Sequence, residues 1–156
     1  MIASKAITGK VSTLITAACL LLMVAPAVGA QSSWPIFRGD SGLSGYSDAA
    51  LPDNPRLLWS FETGDAITST PVAEGGRVFV GSNDGKLYAL SLTDGRELWH
   101  FDAGDAIEAP ALIAEGTVYV GTLGGTLFAL DAARGAIRWQ RETDAVSYTH
   151  LTLPTN

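Results

Sequence analysis

The apolar positions of this chain come in short bursts separated by glycine. Arg77-Val78-Phe79-Val80-Gly81 is a β-branched and aromatic run, and Thr117-Val118-Tyr119-Val120-Gly121 restates it. Runs of this kind, bounded by turn residues, predict strands. Asn83-Asp84-Gly85 follows the first run, and Asn and Gly both tolerate the positive φ that a tight hairpin needs. Lys86-Leu87-Tyr88-Ala89-Leu90-Ser91 is the next predicted strand, Thr93-Asp94-Gly95 turns the chain, and residues 96–101 form another strand. Residues 68–73, with Pro71 among them, are expected to supply a strand ahead of these three. No window places apolar residues at helical spacing between caps, so helices are not expected.

Val78 and Val80 point one way and Phe79 the other, and all three are apolar. A strand that is apolar on both faces has to be covered on both faces.

Shifting the chain by forty residues superimposes it on itself. Trp59/Trp99, Phe61/Phe101, Gly64/Gly104, Asp65/Asp105, Ala66/Ala106 and Ile67/Ile107 coincide. Further on, Gly76/Gly116, Val78/Val118, Val80/Val120, Gly81/Gly121 and Gly85/Gly125 coincide too. Leu87/Leu127, Ala89/Ala129, Leu90/Leu130 and Gly95/Gly135 complete the set, and Phe79/Tyr119 and Tyr88/Phe128 exchange one aromatic for another. Trp139 opens a third unit. A fixed period of this length marks a repeat architecture. Four short strands in forty residues describe one blade of a propeller, so the fold class is all-β, a partial β-propeller of about two four-stranded blades from a seven- or eight-bladed ring. Each blade is then a sheet held between two neighbours, which supplies the cover that both faces need. Trp59, Trp99 and Trp139 are expected to fill the gaps between blades. Gly81, Gly121, Gly85, Gly125, Gly95 and Gly135 are expected at turns and close approaches. These nine are the structural positions of the repeat, and no catalytic or metal-binding residue is assigned.

The two ends read differently. Lys5 and Lys10 precede an apolar run from Val11 to Val28, and Val28-Gly29-Ala30 ends on small residues. That layout predicts a secretory signal peptide over residues 1–30, cut before Gln31. Ser12, Thr13, Thr16 and Pro26 interrupt the run, so no permanent membrane span is expected after cleavage. Cys19, the single cysteine, would leave with the leader, and Thr16 stands where a lipoprotein signal wants an aliphatic residue. A mature chain without cysteine suits an oxidising compartment, so the expected location is periplasmic or extracellular. At the other end, residues 146–156 break the upstream pattern and resemble a translated sequencing-library adaptor; they are therefore expected to be foreign, with the natural protein continuing past Asp144. This division makes residues 31–57 a lead-in, 58–98 the first repeat, 99–138 the second and 139–145 the start of a third.

Composition narrows the function classes. The chain has 156 residues, 47% of them hydrophobic and 17% charged, which allows a packed core and excludes wholesale disorder. The formal net charge of −6 argues against nucleic-acid binding, which would need a basic face. One cysteine excludes an intrachain disulfide framework and a CxxC metal or redox site.

Val78-Phe79-Val80-Gly81-Ser82-Asn83-Asp84-Gly85-Lys86-Leu87-Tyr88-Ala89-Leu90, followed by Thr93-Asp94-Gly95-Arg96-Glu97-Leu98-Trp99, resembles the pyrroloquinoline-quinone-like (PQQ-like) β-propeller repeat. The resemblance spans residues 59–139, and Trp34-Pro35-Ile36-Phe37-Arg38-Gly39-Asp40 looks like the lead-in of secreted members. It implies one of two roles. The first is a periplasmic binding or scaffold propeller whose partners are envelope proteins or a polymer ligand, as in outer-membrane protein assembly. The alternative is a truncated PQQ-dependent alcohol or sugar dehydrogenase, with PQQ and calcium as cofactors. The dehydrogenases carry Glu two residues before the Thr-Pro of an early blade; Thr68 stands there, ahead of Ser69-Thr70-Pro71, so that role does not carry over. No cofactor is visible in the sequence, and the reading leans away from an enzyme.

Other constellations are weak. Asn83 and Asp84 have calcium-ligand chemistry but sit in an expected hairpin turn. Asp65 and Asp105 recur in Gly-Asp-Ala-Ile forty residues apart, on separate blades, and are expected to hydrogen-bond in loops rather than to form a carboxylate pair. His100 is expected at the surface without a ligand partner, and Arg38 lacks a phosphate-binding glycine motif. Because repeats bury their faces only against neighbours, residues 31–145 expressed alone are expected to be molten or to aggregate through open edges.

Overall fold

The computed structural model describes residues 33–50 and 52–143; the predicted leader, Cys19 and the adaptor-like tail with His150 lie outside them. The described residues hold eight strands and no helix. They are β1 (Val72–Glu74), β2 (Arg77–Gly81), β3 (Lys86–Ser91), β4 (Glu97–Asp102), β5 (Leu112–Ala114), β6 (Thr117–Gly121), β7 (Thr126–Asp131) and β8 (Ile137–Glu142). Each run of four makes one antiparallel sheet in chain order, β1-β2-β3-β4 and β5-β6-β7-β8. Equivalent strands lie forty residues apart, as the internal repeat requires. These two sheets are blades of a partial β-propeller.

Local chemistry explains the hairpins. Between β2 and β3 the Gly85 N–H donates to the Ser82 carbonyl at 3.2 Å, with Gly85 at φ +86°. Between β3 and β4 the Gly95 N–H donates to the Ser91 carbonyl at 2.9 Å. The Ser91 N–H in turn donates to the Arg96 carbonyl at 2.8 Å, so the turn consumes Arg96 and β4 starts one residue later than the expected 96–101. Both blades carry a register shift at the same repeat position, between Ala89 and Leu90 and between Ala129 and Leu130. Such irregularities increase local twist and bend the outer strand.

The expected strand over residues 68–73 is corrected to Val72–Glu74. Pro71 has no N–H to give to a ladder. Ahead of it, Ser69 takes the place of backbone pairing: its hydroxyl donates to the Gly81 carbonyl at 2.8 Å and accepts the Gly81 N–H at 3.0 Å.

The blades approach each other along β1 and β5. The lead-in runs across both of these edge strands. Trp34 exchanges two backbone hydrogen bonds with Ala73, at 2.7 and 2.8 Å, and the Pro35 carbonyl accepts the Ile113 N–H at 2.8 Å. Ile36 is buried beside them. The main core lies between the sheets, where Val72, Phe79 and Leu87 of the first blade meet Ile107, Val118, Val120 and Leu130. A smaller cluster of Val80, Tyr88 and Leu90 lies on the other face of the first blade, under Trp59 and Phe61.

Candidate functional site

One of the repeat tryptophans, Trp99, acts as a bolt across the seam. Trp99, on β4 of the first blade, stacks on Phe79 with ring centroids 5.7 Å apart. Its indole N–H donates across the seam to the Ala132 carbonyl at 3.3 Å. Trp59 makes the equivalent bond to the Leu92 carbonyl at 3.0 Å. Trp139, on β8, stacks on Tyr119 at 5.9 Å and is 40% exposed.

Two glycines explain why nothing larger fits at the seam. A Cβ on Gly81 would stand 2.2 Å from Ile107 Cγ2 and 2.9 Å from the Ile107 carbonyl oxygen. Gly135, at φ +69°, lies under the indole of Trp99, where a Cβ would come within 2.6 Å of the ring. Gly95 holds the matching place under Trp59. Gly85 and Gly125 occupy the β2–β3 and β6–β7 turns, and Gly121 ends β6 opposite Leu127.

The carboxylates singled out by their chemistry are spent on turns. Asp84 accepts the N–H groups of Gly64 and Lys86 at 2.8 and 3.0 Å and the Tyr88 hydroxyl at 2.6 Å. Burial opposes its ionisation, but these hydrogen bonds outweigh burial and hold the carboxyl below its ordinary value. Burial, and next the bond to Asp84, push the Tyr88 phenol up to about 12. Asn83 accepts the Thr68 hydroxyl at 2.9 Å. Asp65 accepts the N–H of Ala66 at 2.7 Å, and Asp105 that of Gly124. Asp65 and Asp105 thus each serve a separate loop. His100 bonds Glu97 at 2.8 Å on the exposed side of β4, with its ring 6.1 Å from that of Tyr88. Arg38 sits in a lead-in turn at φ +63°, its guanidinium beside Gly45. Among the described residues no group of three or more His, Cys, Asp or Glu is placed to hold a metal ion.

Two concavities among the described residues stand out. One is a cleft of about 300 Å³ between the blades, lined by Glu74, Arg77, Phe79, Asp131 and Arg138 among others. Here Arg138 donates to the Thr117 hydroxyl at 2.6 Å and to the Asp131 carboxylate at 2.8 Å. The Arg138 guanidinium is the main cause that keeps the Asp131 carboxyl below its usual range. The other is an apolar groove of about 210 Å³ on the far face of the first blade, walled by Trp59 and Phe61 and floored by Val78, Val80 and Leu90. Sequence reasoning missed Ser69 and the Arg138 cluster. Neither carries a local signal, because their partners are 12, 7 and 21 residues away.

A family model described as outer membrane protein assembly factor BamB matches residues 49–155. The chain belongs to this family. The BamB from Moraxella catarrhalis is 35% identical over 55% of this chain and 27% of its own, with a TM-score of 0.51. The quinohemoprotein alcohol dehydrogenase ADHIIG from Pseudomonas putida HK5 is 25% identical over 74% of this chain and 19% of its own, with a TM-score of 0.63. A quinohemoprotein alcohol dehydrogenase from Comamonas testosteroni, 23% identical over 78% of this chain and 21% of its own, shares the fold at a TM-score of 0.61. The chain therefore spans about a quarter or less of each of these structures. No curated protein sequence matches it. The resemblance read from the repeat motif and the family found by comparison agree on a PQQ-like propeller. Among the described residues no helix is long and apolar enough to cross a membrane.

Proposed function

We propose that this chain is part of an exported propeller that serves as a binding or scaffold module for envelope proteins in outer-membrane protein assembly. The match of residues 49–155 to the BamB family carries the reading. The site chemistry supports it: Asp84, Asp105 and Asp131 are engaged in turns, and the open surfaces of the described residues include an apolar groove and an inter-blade cleft. The predicted leader supports a periplasmic location. The test is deletion of the gene, with the folded fraction of outer-membrane β-barrels measured by their mobility before and after heating. A reduced fraction, restored by the gene, is expected; an unchanged fraction sinks the proposal.

The likeness to the Pseudomonas putida enzyme favours a second reading, a PQQ-dependent dehydrogenase. Thr68 speaks against it, since its hydroxyl is committed to Asn83 at the position where the enzymes carry Glu. Dye-linked alcohol oxidation that appears when PQQ and calcium are added to the gene product would decide for the enzyme.

A further inference from the structure

The inter-blade cleft lies at a seam whose two blades are both present, and every residue that lines it belongs to them. Its two guanidiniums are held differently. Arg138 commits its donors within its own blade, to the Thr117 hydroxyl and the Asp131 carboxylate. Arg77 commits none. The ladder sets it at the start of β2, between Glu74 on β1 and Ser91 on β3. Among the described residues no hydrogen bond or ion pair engages its guanidinium, and its Nε is closed to water without an acceptor. A buried N–H left unpaired is destabilising, more so on a cation, and native structures keep few of them.

The repeat shows that the fold does not ask for this arginine. Positions 77, 91 and 98 recur forty residues on as Thr117, Asp131 and Arg138. In the second blade those three are joined through Arg138. The first blade has Arg77, Ser91 and Leu98 in their places, a cation with no acid supplied for it. Both blades nevertheless build the same four-stranded sheet.

Shape and charge select the missing acceptor. Gly75, Gly116, Ala132 and Ala133 keep the cleft free of bulk, and Phe79 gives it an apolar wall. Arg77 Nη1 lies beside Gly75, where a Cβ would stand 3.8 Å from it. A short methylene stem ending in an anion suits such a space. The Nε and Nη groups of arginine form a planar fork that matches the two oxygens of a carboxylate. Across the lining, Arg77 and Arg138 are balanced by Glu74 and Asp131. One cation without a partner therefore fits a single negative charge, whereas a phosphate dianion would meet two carboxylates with only that one cation to offset it.

We propose that the inter-blade cleft receives an acidic side chain of a partner polypeptide, with Arg77 as the ligand to its carboxylate. The proposal rests on the binding-module reading above and names the chemistry such a module recognises. Because Nε is closed to water in the free chain, the fork meets the carboxylate after the side chain turns into the cleft. No bond of the guanidinium has to break for that turn, and the carboxylate supplies the acceptor that Nε lacks.

The test is a nuclear magnetic resonance titration of the intact, nitrogen-15-labelled gene product. The Arg77 Nε–H signal is assigned by its loss in Arg77→Lys. The blocked peptide acetyl-Ala-Glu-Ala-amide should move this signal downfield and saturate, and acetyl-Ala-Gln-Ala-amide at the same concentrations should leave it in place. The Gly75 and Gly116 amides give a second readout that survives substitution of Arg77. By them, Arg77→Gln should weaken the glutamate peptide at least about tenfold, as loss of a hydrogen bond to a charged group requires. Arg96→Gln, at an exposed arginine of the next turn, should bind as the parent does. No response to the glutamate peptide, an equal response to the glutamine peptide, or tighter binding of inorganic phosphate overturns the proposal. Saturation by free glutarate without a response to the peptide overturns the polypeptide source. The titration reads the cleft and the barrel assay reads the wider role. A silent cleft beside impaired barrels overturns this proposal alone, and a responsive cleft beside unimpaired barrels overturns the assembly reading alone.

Discussion

At the scale of single residues, the seam is governed by what is missing. Gly81 and Gly135 have no side chain, and Ile107 and Trp99 take the space. Gly81→Ala drives a methyl into both the side chain and the backbone of Ile107, so the loss should reach about 1–3 kcal/mol, the usual range for overpacking. Denaturant midpoints of the variant and parent measure it. Ser69→Ala leaves the Gly81 N–H and carbonyl without their side-chain partner, and both are buried. A loss of about 1–3 kcal/mol is expected on the same measurement, and Ser69→Thr should recover part of it if the hydroxyl is what matters. Tyr88 and Asp84 give the blade a pH signature. Near pH 10, where an ordinary phenol ionises, the unfolded chain loses the Tyr88 proton while the folded chain keeps it to about 12. The folded state then binds more protons than the unfolded one, so stability falls as pH rises from about 10 towards 12. Asp84 acts at the other end, because its folded value is depressed. Its contribution is present above the ordinary carboxylate value and is lost as pH falls below it. Unfolding midpoints against pH should show both slopes, with the alkaline slope reduced in Tyr88→Phe.

At the scale of strands, the two blades share a layout but differ in how firmly their outer strands are held. β4 inserts Trp99 and Phe101 into the seam, and Phe101 meets Phe128 at 5.0 Å. β8 presents only exposed positions and relies on the ladder to β7 and on Arg138. Amide exchange followed by mass spectrometry should therefore find β8 opening first and β2, β3 and β6 last. Equal protection of β4 and β8 would contradict this account. The strands were readable in the sequence because each is a short apolar run closed by a glycine turn. The first strand of the blade was misplaced because Pro71 and Ser69 lie in an extended segment whose hydrogen bonds go to a residue twelve positions away. Periodicity registers extension but cannot tell a ladder from a side-chain clamp.

At the scale of the molecule, stability resides in the interface between blades. Trp99→Ala removes the Phe79 contact and the bond to Ala132 together, and a loss of about 3 kcal/mol is expected by analogy with other large-to-small aromatic changes. Trp139→Ala should cost less, because among the described residues Trp139 stacks on Tyr119 of its own blade and is 40% exposed. Thermal unfolding of the two variants side by side measures the difference.

Read alone, the sequence determined the all-β repeat, its forty-residue period, the hairpins and the family resemblance. All of these rest on local turn chemistry or on self-similarity, which a linear pattern carries in full. Tertiary structure alone decided which copy of each repeated position is buried. Ile67 and Ile107 stand in the same motif, yet one is exposed and the other sealed. The motif states that a neighbour is wanted, and only the packing shows where a neighbour is present. The cleft beside Arg77 and Arg138 has the same origin, since Arg138 has no counterpart in the first repeat and its partners are gathered by the sheet.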